Sequence, residues 1–294
     1  MWMEPMLTSE VEEPFSDDDY LFEPMLDGHR LLLSFIGQRT RLFTRYRNDI
    51  SEQYPELLNV PMLRNADIIV DGEVAFVDSD TGETRFETLM ERFRMKKRPR
   101  IREAAKRLPV TYFVFDLLYY NGQDLRDWPL SERKRLLSEL LGHNTHFRIL
   151  PHIRGDGKRM FEMVKRLQLD GMACKPAESR YIGGRDGEWL KVINHRRQEL
   201  QVAGWRKDRR GWLIRTNESN TSFVDGQVAP ELAAWLKDNG TIAREDRDNY
   251  YLKAGVLASV AHRGWLSDGR MRKPALLRLY SEHEKRMIAA LSKS

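Results

Sequence analysis

Runs of β-branched and aromatic residues alternate with polar segments along the N-terminal part of the chain. Such runs are typical of strands, and they predict strands at residues 31–36, 40–46, 67–77 and 110–118. Gly37 and Gln38 supply a turn between the first two runs, which indicates a β-hairpin. Phe86 and Phe93, with apolar residues between them at helical spacing, predict a helix. Pro99 is expected to end any helix there.

The same patterns continue to the C-terminus, interrupted by a polar run at 195–198. They predict strands at 171–176, 188–193, 200–205, 212–215, 255–265 and 275–280, and helices at 130–141, 230–237 and 281–291. The acidic stretch 10–19 is interpreted as a solvated lead-in. We expect two domains, residues 1–196 and 197–294. Many short strands with a single intervening helix favour an OB-fold barrel for the second domain.

Composition describes a soluble globular protein and changes this picture little. Of 294 residues, 41% are hydrophobic and 32% are charged, with a formal net charge of +5. The positive surplus is compatible with a polyanionic partner. No apolar run approaches the length of a membrane span, which predicts no membrane association. Cys174 is the single cysteine, so a disulfide framework is excluded and the cytoplasm is the expected compartment.

Seven short motifs follow one another in a fixed order. They are residues 23–30 (E-P-M-L-D-G-H-R), 44–49 (T-R-Y-R-N-D), 71–73 (D-G-E), 113–122 (F-V-F-D-L-L, then G), 170–175 (D-G-M-A-C-K), 179–192 (S-R-Y, G-R, W-L-K-V) and 265–274 (W, then D-G-R-M-R-K-P). Each motif alone is weak evidence, because D-G is most often a tight turn and a lone Phe in a strand is most often core. Their order is what carries information. The set resembles the ATP-dependent DNA ligases of bacteria, and it is similar in layout to the ligase module of end-joining enzymes.

The resemblance covers almost the whole chain and implies a fold and an activity. The fold is an α/β (α+β) nucleotidyltransferase, or adenylation, domain of antiparallel sheets over residues 1–196, followed by an all-β OB-fold domain over residues 197–294. The implied reaction joins a 5′-phosphate to a 3′-hydroxyl through enzyme-AMP and DNA-adenylate. ATP and Mg²⁺ (or Mn²⁺) are the implied cofactors. Nicked or broken duplex DNA is the implied partner of a monomer, together with an end-joining or repair protein.

The resemblance also assigns roles to residues of the motifs. The nucleotide-binding set is Glu23, Met25, Arg30, Arg45, Glu73, Phe115, Lys175 and Lys191. Within it, Phe115 matches the plate that stacks on adenine, and Glu23 matches the reader of the adenine edge. Lys191 matches the cation beside the α-phosphate, and it joins Met25 and Asp27 as the catalytic set. Glu73 and Asp170 match the carboxylates of the metal site, with oxygen ligands that suit Mg²⁺.

Met25 stands where the family pattern E-x-K-x-D-G-x-R has its nucleophilic lysine. A lysine amine can attack the α-phosphate of ATP and hold AMP as a phosphoramidate, whereas a thioether cannot form that stable bond. The sequence therefore predicts a chain that is blocked in self-adenylation. Because the rest of the nucleotide motifs is intact, we favour a designed exchange that traps uncleaved ATP over natural decay.

Three smaller departures from the family pattern concern the phosphates and the metal. Asp170 is one methylene shorter than the usual glutamate, so its metal contact is expected to run through water. Ile193 replaces a second phosphate-binding lysine. The C-terminal element that orients pyrophosphate falls on residues 280–283, where only an acidic residue survives.

Two basic clusters are candidates for DNA binding, although a run of charge is usually a solvated face. One lies in the run 92–107 and the other at the tip of the predicted hairpin near Trp205 and Trp212. The candidates are Arg94, Lys96, Lys97, Arg206, Lys207, Arg209 and Arg210. Contacts of this kind bind phosphates without base preference. The alternatives left open are an RNA ligase or capping-type nucleotidyltransferase, an inactive nucleic-acid-binding pseudo-ligase, and an unrelated α/β binding protein.

Overall fold

The computed structural model describes residues 1–185, 188–217, 220–238 and 242–280. The chain divides into two compact units, Met1–Asn194 (unit 1) and His195–Ser294 (unit 2). The sequence placed this division after residue 196, in a polar run interpreted as a separator. The structural division falls at the start of that run, and the first strand of unit 2 begins within the run at Arg196.

Unit 1 is built from strands and short helices. The strands are β1 (Ser9–Val11), β2 (Asp17–Met25), β3 (His29–Ile36), β4 (Arg39–Thr44), β5 (Ile68–Phe76), β6 (Val110–Tyr120), β7 (Gln123–Asp124), β8 (Phe147–Ile149), β9 (Ile153–Gly155), β10 (Gly171–Pro176) and β11 (Leu190–Ile193). The helices are α1 (Phe86–Arg94), α2 (Arg98–Arg107), α3 (Leu130–Leu140) and α4 (Gly157–Arg166). The six strands predicted for this part of the chain are confirmed as β3, β4, β5, β6, β10 and β11. The helix predicted at 130–141 is confirmed as α3.

These strands form two sheets. One has the order β1-β11-β10-β2-β9, and the other has the order β4-β3-β5-β6-β7 with β8 beside β6. Leu31 and Leu33 of β3 belong to one apolar cluster, while Leu32 between them belongs to another. The second cluster also contains Leu21 of β2 and Phe115 of β6, so it joins the two sheets. A continuous apolar run is what a strand buried on both faces requires.

Two local expectations for unit 1 are wrong. The acidic stretch is not a simple lead-in, because β2 starts at Asp17, whose Cα is in register with Gly155 of β9. Its carboxylates remain exposed while Phe22, further along the strand, is buried. Pro99 does not stop a helix but is the second residue of α2. Proline is tolerated in the first turn, where the missing N–H has no helical partner.

The described part of unit 2 contains the strands β12 (Arg196–Arg206), β13 (Gly211–Arg215), β14 (Thr221–Asp225), β15 (Ile242–Glu245), β16 (Asn249–His262) and β17 (Ala275–Tyr280), and the helix α5 (Pro230–Asp238). The strand order is β14-β13-β12-β16-β15, with β17 also paired to β16. The predicted hairpin is confirmed as β12 and β13, and Trp205 and Trp212 are buried in the core of the unit. The helix predicted at 281–291 and most of the element at 280–283 lie outside the described residues. Among the residues that are described, no helix is long and apolar enough to cross a membrane.

Candidate active site

The segment from Met25 to Arg30 turns sharply from the end of β2 to the start of β3. The backbone N–H of Asp170 donates to the Met25 carbonyl at 3.2 Å, which anchors the end of β2 beside β10. At Gly28 the turn passes close to β5, since an added Cβ would lie 2.2 Å from the Val74 carbonyl oxygen. Glycine is therefore required at position 28 by the close approach of two backbones.

A cavity of about 130 Å³ opens beside this turn. Its lining comes from both sheets and from the loops between them: Thr8, Glu23, Pro24, Met25, Leu26, Arg30, Glu73, Phe115, Leu150, Ala173, Lys175 and Trp189. Six of the eight residues predicted to bind nucleotide line this cavity, and Arg45 and Lys191 do not. A mostly apolar cavity with a few convergent charges is a common form of small-ligand site.

Glu23 is the buried acidic group of the cavity and lies between two lysines. Lys175 Nζ donates to Glu23 Oε2 at 2.6 Å, and Lys134 Nζ lies 2.5 Å from Glu23 Oε1. Burial alone would raise the pKa of Glu23, but the two ammonium groups outweigh it and lower that pKa to about 2. Burial lowers the pKa of Lys175 to about 8, against the opposing effect of Glu23. The carboxylate is therefore ionised and able to accept a hydrogen bond.

Phe115 presents its ring to two cations. The guanidinium carbon of Arg30 lies 4.6 Å from the ring centroid, and Lys175 Nζ lies 4.1 Å from it. Lys175 Nζ also lies 4.0 Å from the ring of Trp189. Cations over aromatic faces at these distances are attracted by the ring quadrupole. The site thus combines an aromatic surface with fixed positive charge.

Arg30 is held in place by a buried carboxylate that motif matching did not single out. Its Nε and Nη2 donate to Asp71 Oδ1 at 2.7 Å and to Asp71 Oδ2 at 2.5 Å. The Tyr181 hydroxyl donates to the same Asp71 Oδ2 at 2.5 Å. Burial, followed by the charge of Asp71, raises the pKa of Tyr181 well above its usual range, so the hydroxyl keeps its proton.

Glu73, another residue of the lining, has an altered pKa. Burial raises the pKa of Glu73 to about 8, Arg30 opposes this, and Asp71, Asp27 and Asp170 add to it. Within the described ranges, no group of three or more His, Cys, Asp or Glu side chains is arranged to hold a metal ion. Glu73 and Asp170 could thus supply two oxygen ligands to a metal ion, but protein side chains alone would not complete its coordination. Mg²⁺ usually binds in such a setting, through one or two carboxylates completed by water and substrate phosphates.

Arg45 and Lys191, the two predicted nucleotide contacts outside this lining, have other surroundings. Arg45 lines a second cavity of about 600 Å³ together with Gly28, Arg30 and Glu73, which also border the turn. Its guanidinium carbon lies 4.6 Å from the centroid of the Tyr46 ring. Lys191 Nζ lies 3.5 Å from Glu10 Oε2. Both assignments stay predictions.

Sequence reasoning missed Lys134 and Asp71, which hold the predicted side chains of the site. Lys134 also donates to the Phe115 carbonyl oxygen at 2.9 Å. A signal existed in the sequence, because Arg133 and Lys134 share the buried face of α3 with Leu130 and Leu137. A charge on the apolar face of a helix calls for a buried partner.

The first basic cluster is partly internal. Arg92 is buried and donates to Glu56 Oε1 at 2.8 Å, so it cannot meet a phosphate. Arg94, Lys96 and Lys97 are exposed.

In the second cluster, two of the four candidates are engaged by carboxylates of unit 2. Arg206 Nη2 lies 2.8 Å from Asp208 Oδ2, and Lys207 Nζ lies 2.8 Å from Glu245 Oε2. Arg209 and Arg210 are exposed. DNA binding by either cluster stays a prediction.

In a comparison with known protein families, the family model described as the ATP dependent DNA ligase domain matches residues 5–192. That span includes every residue of the cavity lining. The chain belongs to the ATP-dependent DNA ligase family. The SPbeta prophage-derived DNA ligase-like protein LigB of Bacillus subtilis is 32% identical over 278 residues, which cover 94% of this chain and 98% of LigB. The multifunctional non-homologous end joining protein LigD of Mycobacterium bovis is 26% identical over 280 residues. The match to LigD covers 86% of this ligase chain and 35% of LigD.

Solved structures agree on the fold of this ligase family member. The ligase domain of LigD from M. tuberculosis matches with a TM-score of 0.57 and 23% identity, over 94% of both chains. A Lig E DNA ligase described as a minimal scaffold matches with a TM-score of 0.63 and 18% identity, over 95% of this chain and 100% of that one. The predicted family and fold class, a nucleotidyltransferase domain with a C-terminal OB-fold, are therefore confirmed.

Proposed function

We propose that this chain binds ATP in the cavity beside Met25, binds nicked DNA, and is blocked in the first step of DNA joining. Residues 1–196 act as the adenylation domain and residues 197–294 as the OB-fold domain. The observation that carries the proposal is the lining of the cavity. An aromatic plate at Phe115, an ionised carboxylate at Glu23 and the cation Arg30 surround the residue at position 25.

Each of these groups suits one part of ATP. The Phe115 ring offers a stacking surface for adenine, which contributes about 1–3 kcal/mol per base in comparable sites. The Glu23 carboxylate accepts a hydrogen bond from the exocyclic amine of adenine. Arg30, already oriented by Asp71, suits the ribose or the phosphates. Lys191 and Arg45 add positive charge for the phosphates once ATP is bound.

Position 25 decides the chemistry of the first step. A lysine amine would form an N–P bond to the α-phosphorus while the bond to pyrophosphate breaks, and the amine would lose a proton. The thioether of Met25 has no proton to lose and gives no stable adduct. In the last step the 3′-hydroxyl attacks the phosphorus of DNA-adenylate and AMP leaves. That step does not use the side chain at position 25.

A divalent cation fits the carboxylates on this side of the site. Glu73 and Asp170 would hold Mg²⁺ or Mn²⁺, and the ion would neutralise charge on the phosphates. Burial is the main cause of the raised pKa of Glu73, while Asp71, Asp27 and Asp170 add to it, and a bound cation would oppose both effects. Duplex DNA with a nick or a break is the expected substrate of a monomeric cytoplasmic enzyme, with an end-joining or repair protein as partner.

The decisive experiment compares this chain with Met25→Lys. Both are incubated with α-labelled ATP and Mg²⁺, and label that survives denaturation is counted. We expect label on the lysine variant and none on the Met25 chain. In parallel, both forms are given a nick whose 5′ end is already adenylated, and both are expected to seal it. Label on the Met25 chain would refute the block.

A non-catalytic nucleic-acid-binding role is the second candidate, and Met25 itself is the observation that favours it. Failure of Met25→Lys to gain label or to seal nicks would support that role. An RNA ligase or capping-type activity would appear as sealing of RNA nicks in preference to DNA nicks, or as label transferred from GTP.

A further inference from the structure

Lys134 is a buried cation behind the nucleotide cavity rather than in its lining. It lies on α3 between the buried Arg133 and the exposed Arg135. Lysine is almost never fully buried unless it is paired. Its two contacts are with Glu23 and Phe115, which line the cavity. Lys134 can therefore affect a bound ligand through these residues but does not contact it directly.

Its two contacts lie on different sheets. The Nζ of Lys134 donates to the carbonyl oxygen of Phe115, on β6 of the six-stranded sheet, at 2.9 Å. The same Nζ lies 2.5 Å from Glu23 Oε1, on β2 of the five-stranded sheet. One ammonium group thus connects the strand that carries the aromatic plate to the strand that carries the buried carboxylate.

The charged groups around Glu23 show what this connection does chemically. Glu23 has two lysine neighbours, and Lys175 lines the cavity while Lys134 does not. A ligand that approaches Glu23 can compete with Lys175 for the carboxylate, but Lys134 stays behind. His152 lies close enough for its pKa to be lowered by burial and by Lys134. Lys134 therefore keeps the carboxylate charged and oriented while the front of the cavity is occupied.

The two purines differ at the edge that such a carboxylate would face. Adenine presents an amine donor at position 6, whereas guanine presents a carbonyl acceptor. An ionised carboxylate in a fixed position accepts from the first and repels the second. A site built to hydrogen-bond one group rejects the analogue that lacks it far more strongly than an apolar pocket could.

We propose that Lys134 is the positioning residue that makes this cavity select adenine over guanine nucleotides, by fixing Glu23 relative to the plate of Phe115. This inference rests on the proposed function, since it assumes that a nucleotide base enters the cavity. It concerns specificity and assigns no step of the reaction to Lys134.

The test is the ratio of ATP to GTP affinity, measured by isothermal titration calorimetry on the Met25 chain with MgCl₂. The block at Met25 helps, because each nucleotide should bind without a covalent step. Lys134→Met keeps the length of the side chain and removes the cation, and we expect the ATP:GTP affinity ratio to fall about tenfold or more. Lys134→Arg should recover most of the ratio. Arg135→Met, on the exposed face of the same helix, should leave it unchanged.

A parental ratio in Lys134→Met, or an equal loss of affinity for both nucleotides, would overturn the inference and leave a structural role. If Lys134→Met does not fold, Lys134→Gln decides, because its amide can still donate to the Phe115 carbonyl but carries no charge. The same tenfold loss is expected there, and an unchanged ratio overturns the inference. A parent that binds neither nucleotide refutes the proposed function as well. If the parent protein prefers ATP and the Lys134 variants keep that preference, this inference is refuted while the proposed function stands.

Discussion

Arg133 and Arg135 lie two residues apart on α3 and form ion pairs of similar length, yet we expect their replacement to differ greatly in effect. Arg133 Nε and Nη2 donate to Asp116 Oδ1 and Oδ2 at 2.8 and 2.9 Å, and both side chains have 0% exposure. Arg135 reaches Glu132 and Glu139 at 2.9 and 2.7 Å, but its side chain is 59% exposed. The two ion pairs therefore differ in how deeply they are buried, not in the distance between their charged groups.

The magnitudes follow from that difference. Removal of one partner from a buried ion pair leaves an uncompensated charge and costs about 3–5 kcal/mol. Exposed pairs contribute roughly 0–1 kcal/mol, because water already solvates both charges. For a unit of this size, 1 kcal/mol shifts Tm by about 2–4 °C. Arg133→Met should therefore lower the transition of unit 1 by roughly 10 °C, and Arg135→Met by at most a few degrees.

Differential scanning calorimetry is the appropriate assay, because it records the transition temperature directly. A double variant, Arg133→Met with Asp116→Leu, removes both charges and should recover a large part of the loss, because an apolar pair of similar volume is often neutral relative to a buried ion pair. Equal shifts for Arg133→Met and Arg135→Met would refute the argument. A double variant no more stable than the single one would show that the stranded charge is not the cause and would point to lost packing and to the lost hydrogen bonds to the Trp128 and Ser179 carbonyl oxygens.

Three further predictions concern the site and the basic cluster. Gly28→Ala should destabilise the protein by about 1–3 kcal/mol, measured by urea denaturation, because its Cβ would lie 2.2 Å from the Val74 carbonyl oxygen. Glu73 holds its proton more tightly in the folded state, with a pKa of about 8 against an ordinary 4.5, so its contribution to stability falls as the pH rises between those values. Glu73→Gln should remove that part of the dependence of Tm on pH. Lys96→Gln with Lys97→Gln should weaken nicked-DNA binding and lower the slope of log K against log salt by about 2.

The last two of these predictions need matched controls. Burial lowers the pKa of His29 to about 4 and the pKa of Lys175 to about 8, so the difference between parent and Glu73→Gln, not the parent curve alone, isolates Glu73. An identical pH profile for the two proteins would contradict the assignment. For DNA binding, Lys158→Gln with Arg159→Gln removes two exposed charges from α4. Equal salt slopes for the two double variants would mean that only net charge matters.

The family resemblance assigned eight nucleotide contacts, and the structure places six of them in the lining of one cavity. Glu23, Arg30 and Phe115 lie far apart in the chain, yet the structure brings them to one cavity. Arg30 and Phe115 lie on β3 and β6, which apolar runs predicted, whereas Glu23 lies on β2, which the sequence analysis did not predict as a strand. Position in a motif was therefore sufficient to bring these side chains to one cavity, and their contact with a nucleotide stays a prediction.

Residues that support the site from behind could not be found in this way. Asp71 was treated as part of a D-G-E motif, and its role depends on β5 pairing with β3 so that it can accept from Arg30. Lys134 acts across two sheets, which the local pattern of a helix cannot reveal. The error at β2 has a related cause, because exposed carboxylates dominated a segment whose backbone pairs on both sides.

The distribution of charge explains why the exchange at position 25 matters beyond the lost nucleophile. At Glu23, the carboxylate charge is balanced by Lys134 and Lys175, whose ammonium groups lie within 2.5 and 2.6 Å of its oxygens. At Glu73, burial chiefly raises the pKa, while Asp71, Asp27 and Asp170 raise it further, and Arg30, which Asp71 already engages, opposes them. A lysine at position 25 would add a cation to the cavity that Glu73 lines, and methionine adds none. The phosphates of ATP are themselves anionic, so in the proposed complex a divalent cation, together with Arg45 and Lys191, would offset their charge beside these carboxylates.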